Sequence, residues 1–258
     1  MLLTFDVGNT ETTIGLFEQG ALRQHWRVTT EVARTPDEFG VLLHGLLAHG
    51  GARADQVLGV AIGSVVPPVT APLVDACTRW LPAKRVEVID GASPLPIRLD
   101  VDEPSSVGAD RIINTLAASR RYRRDAIVVD LGTATTYDCI TRDGVFFGGV
   151  IAPGVRSSAE TLFRRTSKLP ATELVAPARV IGRRTDECIR SGVMFGAAEA
   201  IDGIVGRIIA EWPNEGRPIV VGTGGLAETF ATLCHCFDEV APHLTLEGLA
   251  LAFELLGA

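Results

Sequence analysis

Two segments of the chain place an aspartate, a glycine and several hydroxyl side chains directly after an apolar run. The first is Asp6-Val7-Gly8-Asn9-Thr10-Glu11-Thr12, and the second is Asp130-Leu131-Gly132-Thr133-Ala134-Thr135-Thr136. The aspartate, the glycine and the last threonine of the first segment recur in the second at an offset of 124 residues, and Gly20 recurs at the same offset as Gly144. A single Asp-x-Gly arises easily by chance, but a matching segment with matching spacing does not. The sequence therefore predicts an internal duplication.

Each repeated segment has the residue types of a phosphate-binding turn. Glycine allows the backbone to approach a ligand closely, and backbone N–H groups in a tight turn form a concavity that binds anions. A carboxylate repels phosphate, so the role that suits Asp6 and Asp130 is to hold a hard cation such as Mg²⁺, directly or through water. Two such turns facing each other would hold a magnesium polyphosphate. The alternative is that both aspartates only accept hydrogen bonds from the N–H groups of their own turns.

A third glycine-rich segment, Gly222-Thr223-Gly224-Gly225-Leu226-Ala227, follows an apolar strand-like run and precedes a predicted helix. Such a turn can carry the base and ribose of a nucleotide or its α-phosphate, although a plain strand-to-helix turn has the same composition. Other nucleotide-binding patterns are missing. Neither lysine of the chain, Lys84 or Lys168, follows the glycines of a P-loop. No Gly-x-Gly-x-x-Gly follows the first strand, which disfavours a Rossmann site.

The composition limits the class of protein. The 258 residues are 47% hydrophobic and 21% charged, with a net charge of −7, which supports a folded core and excludes an intrinsically disordered chain. The acidic balance argues against nucleic acid as a partner. No apolar run reaches the ~18 residues of a membrane span, and the N-terminus lacks the basic start of a signal peptide. Together with five scattered cysteines, these features predict a reduced, cytoplasmic protein.

The elements that must position these segments alternate between strands and helices, which predicts an α/β fold. Thr35-Pro36-Asp37-Glu38 has the capping-box pattern of a helix start, so one helix begins at Pro36. Two similar halves imply duplicated domains that face each other across a nucleotide cleft. The predicted strands are 2–7, 12–18, 22–29, 57–62, 85–89, 97–99, 126–131, 135–141, 145–151 and 218–222. Further helices are predicted to end near Trp80 and to cover about 110–121, 155–164, 185–211, 225–233 and 246–256.

Six short segments carry a resemblance that extends almost from end to end of the chain. They are Asp6-Val7-Gly8-Asn9-Thr10, Gly108-Ala109-Asp110-Arg111, Asp130-Leu131-Gly132-Thr133-Ala134-Thr135-Thr136, Gly148-Gly149-Val150-Ile151-Ala152-Pro153-Gly154, Lys168-Leu169-Pro170 and Gly222-Thr223-Gly224-Gly225-Leu226-Ala227. In this order they resemble the type III pantothenate kinases, members of the acetate kinase, sugar kinase, Hsp70 and actin superfamily. The resemblance implies two ribonuclease H-like domains. Residues 1–118 would hold the first phosphate loop and the substrate motif, and residues 119–258 the second phosphate loop and the adenosine motif.

The resemblance also implies an activity and its cofactors. The activity is ATP-dependent phosphorylation of pantothenate to 4'-phosphopantothenate, the first step of coenzyme A biosynthesis. Family members use Mg²⁺ and a monovalent cation, K⁺ or NH₄⁺, and form a homodimer. Two other interpretations stay open, namely a catalytically weak nucleotide-binding regulator and a kinase of another small hydroxy compound.

The resemblance assigns roles by position. Asp110 would be the catalytic base, Asp130 would bind the monovalent cation, and Asp6 would hold Mg²⁺ through water. Residues that would bind ATP are Asp6, Val7, Gly8, Asn9, Thr10, Glu11, Thr12, Thr13, Thr133, Gly224 and Gly225. Residues that would bind pantothenate are Val101, Gly108, Ala109, Asp110, Arg111 and, from the dimer region, Thr185.

The residue types of the substrate motif suit these roles. Asp110 begins a predicted helix, so the helix dipole should keep its carboxyl ionised. A weak base is sufficient, because phosphoryl transfer has a loose transition state in which the hydroxyl proton can leave late. Arg111 can pair with the substrate carboxylate through its fork of donors.

The chain departs from the family pattern mainly between residues 90 and 103. Many relatives have a Gly-Pro-Gly-x-Lys/Arg-Thr-Gly loop where this chain has the shorter Asp90-Gly91-Ala92-Ser93-Pro94-Leu95, without the basic residue. Val101 stands in place of an aromatic residue, Glu103 in place of Asn, and Glu11 where Asn is frequent. The changes in the loop, at Val101 and at Glu103 bear on substrate affinity and selectivity. The change at Glu11 bears on the phosphate loop.

Overall fold

The two predicted halves fold around two β-sheets. A computed structural model describes residues 1–257 of the chain. In chain order, the strands are β1 (Leu2–Val7), β2 (Glu11–Glu18), β3 (Ala21–Thr29), β4 (Gly59–Ser64), β5 (Arg85–Ile89), β6 (Arg98–Leu99), β7 (Ala126–Leu131), β8 (Ala134–Ile140), β9 (Val145–Pro153), β10 (Ile219–Thr223) and β11 (Glu239–Val240). The helices are α1 (Pro36–His49), α2 (Pro67–Trp80), α3 (Ala109–Tyr122), α4 (Val155–Arg165), α5 (Thr185–Ala210), α6 (Ala227–Phe230) and α7 (Leu244–Leu255).

The two sheets repeat one topology. The first has the strand order β3-β2-β1-β4-β5, and the second has the order β11-β10-β7-β8-β9-β6. In the first sheet, β1, β2 and β3 are antiparallel neighbours, and β4 and β5 continue in parallel from β1. In the second sheet, β7, β8 and β9 form the same antiparallel set, and β10 and β11 continue in parallel from β7. This shared topology confirms the predicted duplicated α/β fold.

The chain divides into two units. Unit 1 contains Met1–Ile97, Val101–Ala117 and the chain from Thr245 onwards, and unit 2 contains Arg98–Asp100 and Ala118–Leu244. This division differs from the predicted domains 1–118 and 119–258 in two segments. Arg98–Asp100 belongs to unit 2, because β6 pairs with β9. The last segment belongs to unit 1, because α7 packs against β4. A Cβ on Gly59 would overlap the ring of Phe253, and a Cβ on Gly63 would lie 3.2 Å from Cδ2 of Leu249.

Unit 1 buries an apolar core between its sheet and two helices. Phe5 of β1 and Ile62 of β4 pack with Leu43 of α1 and Leu73 of α2, and all four side chains are buried. The predicted capping box starts α1, since Glu38 N donates to the Thr35 hydroxyl at 3.3 Å and Thr35 N donates to the Glu38 carboxylate at 2.7 Å. The predicted strands and the predicted start of α1 are therefore both present in the packed core of unit 1.

Unit 2 has its own core around α5. Ile127 and Val129 of β7 pack against Met194 and Ile201 of this helix. The predicted helix over 225–233 is shorter in the structure, where α6 covers Ala227–Phe230. Beyond it, the Asp202 carboxylate of α5 accepts hydrogen bonds from the backbone N–H groups of residues 235 and 236 at 3.0 Å, which holds the chain in a turn.

Candidate active site

The first predicted phosphate turn connects β1 to β2 in unit 1. Asp6, near the end of β1, is half-buried and faces Thr13 across the hairpin. The turn is closed by a hydrogen bond of 3.1 Å from Gly8 N to the carbonyl oxygen of Glu11. Asn9 is exposed at the tip. The structure therefore places a carboxylate directly beside a tight turn, as the sequence predicts.

Thr30, which follows β3, holds this turn in place, and it was missed by the sequence prediction. Its hydroxyl donates to the carbonyl oxygen of Gly8 at 2.7 Å, and its backbone N–H donates to Thr10 O at 3.0 Å. The Thr12 hydroxyl lies 2.8 Å from the Thr30 hydroxyl and is the donor of that pair, because the single proton of Thr30 is already used. A threonine after a predicted strand is too common a signal to have identified this residue.

The second phosphate turn connects β7 to β8 in unit 2 and is one residue shorter than the first. Three residues separate β1 from β2, but only two separate β7 from β8. As a result, Asp130 faces Thr136 whereas Asp6 faces Thr13. The offset is therefore 123 residues at Thr13 and Thr136, and it returns to 124 at Gly20 and Gly144, which precede β3 and β9 and both have a positive φ. The predicted match of Thr12 with Thr136 is wrong, since the structural equivalent of Thr136 is Thr13.

The third glycine-rich segment lies beside Asp130 within unit 2. Because β10 pairs in parallel with β7, Thr223 is the register partner of Asp130. Gly224 follows with a φ of +88°, and a Cβ at this position would overlap Oδ1 of Asp130 and lie 2.8 Å from Leu131 N. Glycine is required here both for the left-handed backbone and for the close approach. The adjacent Gly225 is exposed.

Asp110 lies in the first turn of α3 and is connected to the first phosphate turn within unit 1. Its Oδ1 accepts a hydrogen bond from Arg111 N at 2.9 Å. A Cβ on Gly108 would lie 2.5 Å from this oxygen and 3.2 Å from Cγ1 of Val65. Val65 N in turn donates to Val7 O at 3.1 Å. The substrate motif thus lies close to Val65, which is hydrogen-bonded to the end of β1.

The electrostatics of Asp110 differ from the expectation. Burial raises the pKa of its carboxyl, while the hydrogen bond from Arg111 N and the charge of Arg111 act to lower it. The sequence indicated only the stabilising helix dipole, whereas in the structure desolvation penalises the charged form more strongly than the hydrogen bond and the charge favour it. A raised pKa makes this carboxylate a better proton acceptor than an exposed aspartate.

The remaining predicted substrate residues have varied surroundings. Ala109 is buried and the side chain of Arg111 is half-buried, both at the start of α3. Val101 is half-buried in unit 1, and Thr185 is exposed at the first residue of α5 in unit 2. In the segment that departs from the family, Asp90 closes a turn of its own, with Ala92 N donating to its Oδ1 at 2.9 Å.

The oxygen donors near the turns suit hard cations. Among residues 1–257, no group of three or more histidine, cysteine or acidic side chains could hold a metal ion alone. Mg²⁺ in kinases is commonly held by one or two carboxylates together with substrate phosphates and water. Half-buried Asp6 and Asp130, each at a strand end beside a turn rich in hydroxyl and backbone groups, fit that kind of site. In the same described range, no helix is long and apolar enough to cross a membrane.

Two duplicated sheets, each with an Asp-x-Gly turn, define the class of the protein as the actin-like ATPase and sugar kinase fold. Component A of (R)-2-hydroxyglutaryl-CoA dehydratase from Acidaminococcus fermentans has this fold with a TM-score of 0.53 and 12% identity, and the match covers 100% of this chain and 99% of that one.

Sequence comparison identifies the family within this class. The family model for type III pantothenate kinase matches residues 2–207. The type III pantothenate kinase of Roseiflexus sp. (strain RS-1) is 46% identical over 257 residues, or 99% of each chain. That of Moorella thermoacetica is 42% identical over 255 residues, covering 98% of this chain and 99% of the relative. The chain belongs to the type III pantothenate kinase family.

Proposed function

We propose that this chain transfers the γ-phosphoryl group of ATP to the terminal hydroxyl of pantothenate, giving 4'-phosphopantothenate and ADP, the first step of coenzyme A biosynthesis. The observation that supports this most directly is the proximity, within unit 1, of the half-buried carboxyl of Asp110 and the end of β1 that leads into the first phosphate turn, with Gly108 and Val65 between them. Phosphoryl transfer depends on positioning a hydroxyl, a base and the phosphates together. Membership of the family supports pantothenate as the acceptor.

In this proposal, the start of α3 binds and orients the acceptor. Gly108, Ala109 and Arg111 hold pantothenate, with the Arg111 guanidinium paired to the substrate carboxylate. Asp110 accepts the hydroxyl proton as the new O–P bond forms and the bond to ADP breaks. Val101 and Thr185 complete the substrate contacts. The raised pKa of Asp110 favours proton acceptance late in the transfer.

The glycine turns hold the nucleotide. In the proposal, Asp6 binds Mg²⁺ through water, and Asp130 binds K⁺ or NH₄⁺. When bound, these cations would offset negative charge on the phosphates. The N–H groups and hydroxyls of the turns orient the phosphate oxygens. The residues proposed for ATP are Asp6, Val7, Gly8, Asn9, Thr10, Glu11, Thr12, Thr13, Thr133, Gly224 and Gly225.

The proposal extends to assembly and location. We infer a homodimer, supported by open space beside Gly192 and Gly196 of α5, where an added Cβ would meet nothing within 4 Å. Five free cysteines suit a reducing compartment, which supports a cytoplasmic protein. The net charge of −7 gives no support to a nucleic-acid partner. Sedimentation at several protein concentrations would measure the oligomeric state, and a monomer at all of them would contradict the dimer.

The test is ADP release by the purified protein with Mg²⁺-ATP and KCl, with and without pantothenate, and with mass spectrometry of the product. We expect pantothenate-dependent turnover that weakens when Na⁺ replaces K⁺. Asp110→Asn should lower kcat by about 10²- to 10⁴-fold, the usual contribution of a general base. Asp55→Asn, which makes the same change at an exposed residue, should leave kcat unchanged.

Other outcomes would favour the alternatives. ATP binding without turnover on any acceptor would indicate a nucleotide-binding regulator. Turnover with a different hydroxy compound, but not with pantothenate, would indicate another kinase of the same superfamily.

A further inference from the structure

The N-terminal turn of α4 contacts the second phosphate turn within unit 2. Gly154, the residue before α4, is buried, and a Cβ at this position would overlap the carbonyl oxygen of Thr133 and lie 2.7 Å from that of Gly132. The Ser157 hydroxyl donates a hydrogen bond to the same Thr133 oxygen at 2.9 Å. Two residues of one helix turn therefore hold one carbonyl group of the phosphate turn.

Space, and not backbone conformation, explains the glycine at 154. Its φ of −66° and ψ of 154° lie in the extended region that any residue adopts. The atoms that an added methyl group would meet belong to the backbone of the phosphate turn, and they cannot rotate aside as a side chain could. Replacing Gly154 with alanine would therefore displace the turn or the start of α4.

The start of α4 is itself anchored, so it can act as a fixed support. Val155 is buried in the core of unit 2. Just before it, β9 pairs with β8, with Pro153 opposite Ala134 and Ala152 opposite Thr135. The support and the turn are thus connected through the sheet as well as through the Thr133 carbonyl.

We propose that Gly154 and Ser157 are positioning residues for ATP, which fix the conformation of Thr133 and so place its hydroxyl against the nucleotide phosphates. This rests on the proposed function, in which Thr133 binds ATP. Neither residue touches the nucleotide in this proposal. Both act through the carbonyl oxygen of Thr133.

The first test is the affinity for a β,γ-imido analogue of ATP, measured by calorimetry on the full chain. Gly154→Ala should weaken binding on the order of tenfold or more, because misplacement of a binding group by about 1 Å is costly. The matched control is Gly206→Ala on α5, where an added Cβ meets nothing within 4 Å. Equal affinities for the two variants would overturn the proposal.

The second test uses Ser157, where the change is small enough to preserve folding. Ser157→Ala should weaken analogue binding by about two- to tenfold, the usual net effect of one hydrogen bond. Ser157→Thr keeps a hydroxyl and should restore affinity. Failure of Ser157→Ala to weaken binding, or of Ser157→Thr to restore it, would contradict the role of the hydroxyl. If Gly154→Ala does not fold, the two Ser157 variants test the proposal by themselves.

Hydrogen exchange of the backbone over residues 132–135 separates this inference from the proposed function. Exchange should be faster in Ser157→Ala than in the wild type and should return to the wild-type rate in Ser157→Thr. If the wild type binds no ATP analogue, the proposed function fails, while this readout still tests the support of the turn. Unchanged exchange in Ser157→Ala would overturn the inference itself.

Discussion

At the scale of single residues, Asp110 is a half-buried carboxyl group at the position proposed for the catalytic base. Because burial raises its folded-state pKa, the group stabilises the fold least when it is ionised. Its contribution is fully present below the pKa of the unfolded chain, about 3.9, and is lost as the pH rises through the folded-state pKa. In the proposed function, the residue therefore serves activity at the expense of stability at neutral pH.

We therefore expect Asp110→Asn to be more stable than the wild type at pH 7, although loss of the proposed base would lower its kcat. The amide keeps an oxygen that can accept the hydrogen bond from Arg111 N, and it has no charge to desolvate. The gain should shrink as the pH falls towards 3.5. Urea unfolding at both pH values measures it, and a variant less stable than the wild type at pH 7 would contradict the prediction.

Gly224 and Gly216 form a second residue-scale comparison, because both have a positive φ, +88° and +92°. Alanine at either position should cost about 1–2 kcal/mol for the left-handed backbone. An added Cβ meets nothing within 4 Å at Gly216, but at Gly224 it overlaps the carboxylate of Asp130. We expect Gly224→Ala, but not Gly216→Ala, to raise the KM for ATP and to weaken activation by K⁺. Steady-state kinetics over a range of KCl measure both, and equal KM values for the two variants would exclude a role for this close approach.

At the scale of elements, α3 carries Asp110 and depends on close packing against α7 in unit 1. A Cβ on Gly248 of α7 would lie 2.6 Å from Cγ2 and 2.8 Å from the carbonyl oxygen of Ile113 on α3. Nearby, the buried hydroxyl of Thr245 donates to Asn114 Oδ1 at 2.9 Å. These contacts set how near the two helices come.

We therefore expect Gly248→Ala to lower the free energy of unfolding by about 1–3 kcal/mol, as overpacking does, although alanine favours helix. Gly45→Ala on α1 is the matched control, because an added Cβ there meets nothing within 4 Å. That change should raise the free energy of unfolding by about 0.5–1 kcal/mol through helix propensity. Urea unfolding of both variants gives the comparison. The packing argument fails if Gly248→Ala is also stabilised.

At the scale of the whole molecule, the last segment of the chain completes unit 1 and not unit 2. A chain that ends at Leu244 would lose Leu249 and Phe253, which cover Gly63 and Gly59 of β4. We expect faster hydrogen exchange in β1 and β4 of this truncated chain, with β7 and β10 still protected. A chain that ends at Leu255 keeps α7 complete and should exchange like the wild type. Loss of protection first in β7 and β10 would instead favour a boundary near residue 118.

Much of this protein was predictable because the signals are local. Alternating and apolar runs located the strands, Thr35 and Glu38 marked the start of α1, and the repeated Asp-x-Gly segments predicted the duplication. Each of these patterns arises from interactions between residues a few positions apart, which the order of the amino acids contains directly. The turns, and the family that they indicate, follow from the same short segments.

Tertiary structure alone decided which distant groups meet. The contact of Gly224 with Asp130, the support of Gly8 by Thr30 and the return of α7 to unit 1 join residues far apart in the chain. The one-residue difference between the two turns became visible only from strand register. Such contacts depend on how whole elements pack, and no short pattern records which backbone will approach a given side chain. That is why the sequence by itself determined the turns, the family and the duplicated fold, whereas packing determined how the turns are held.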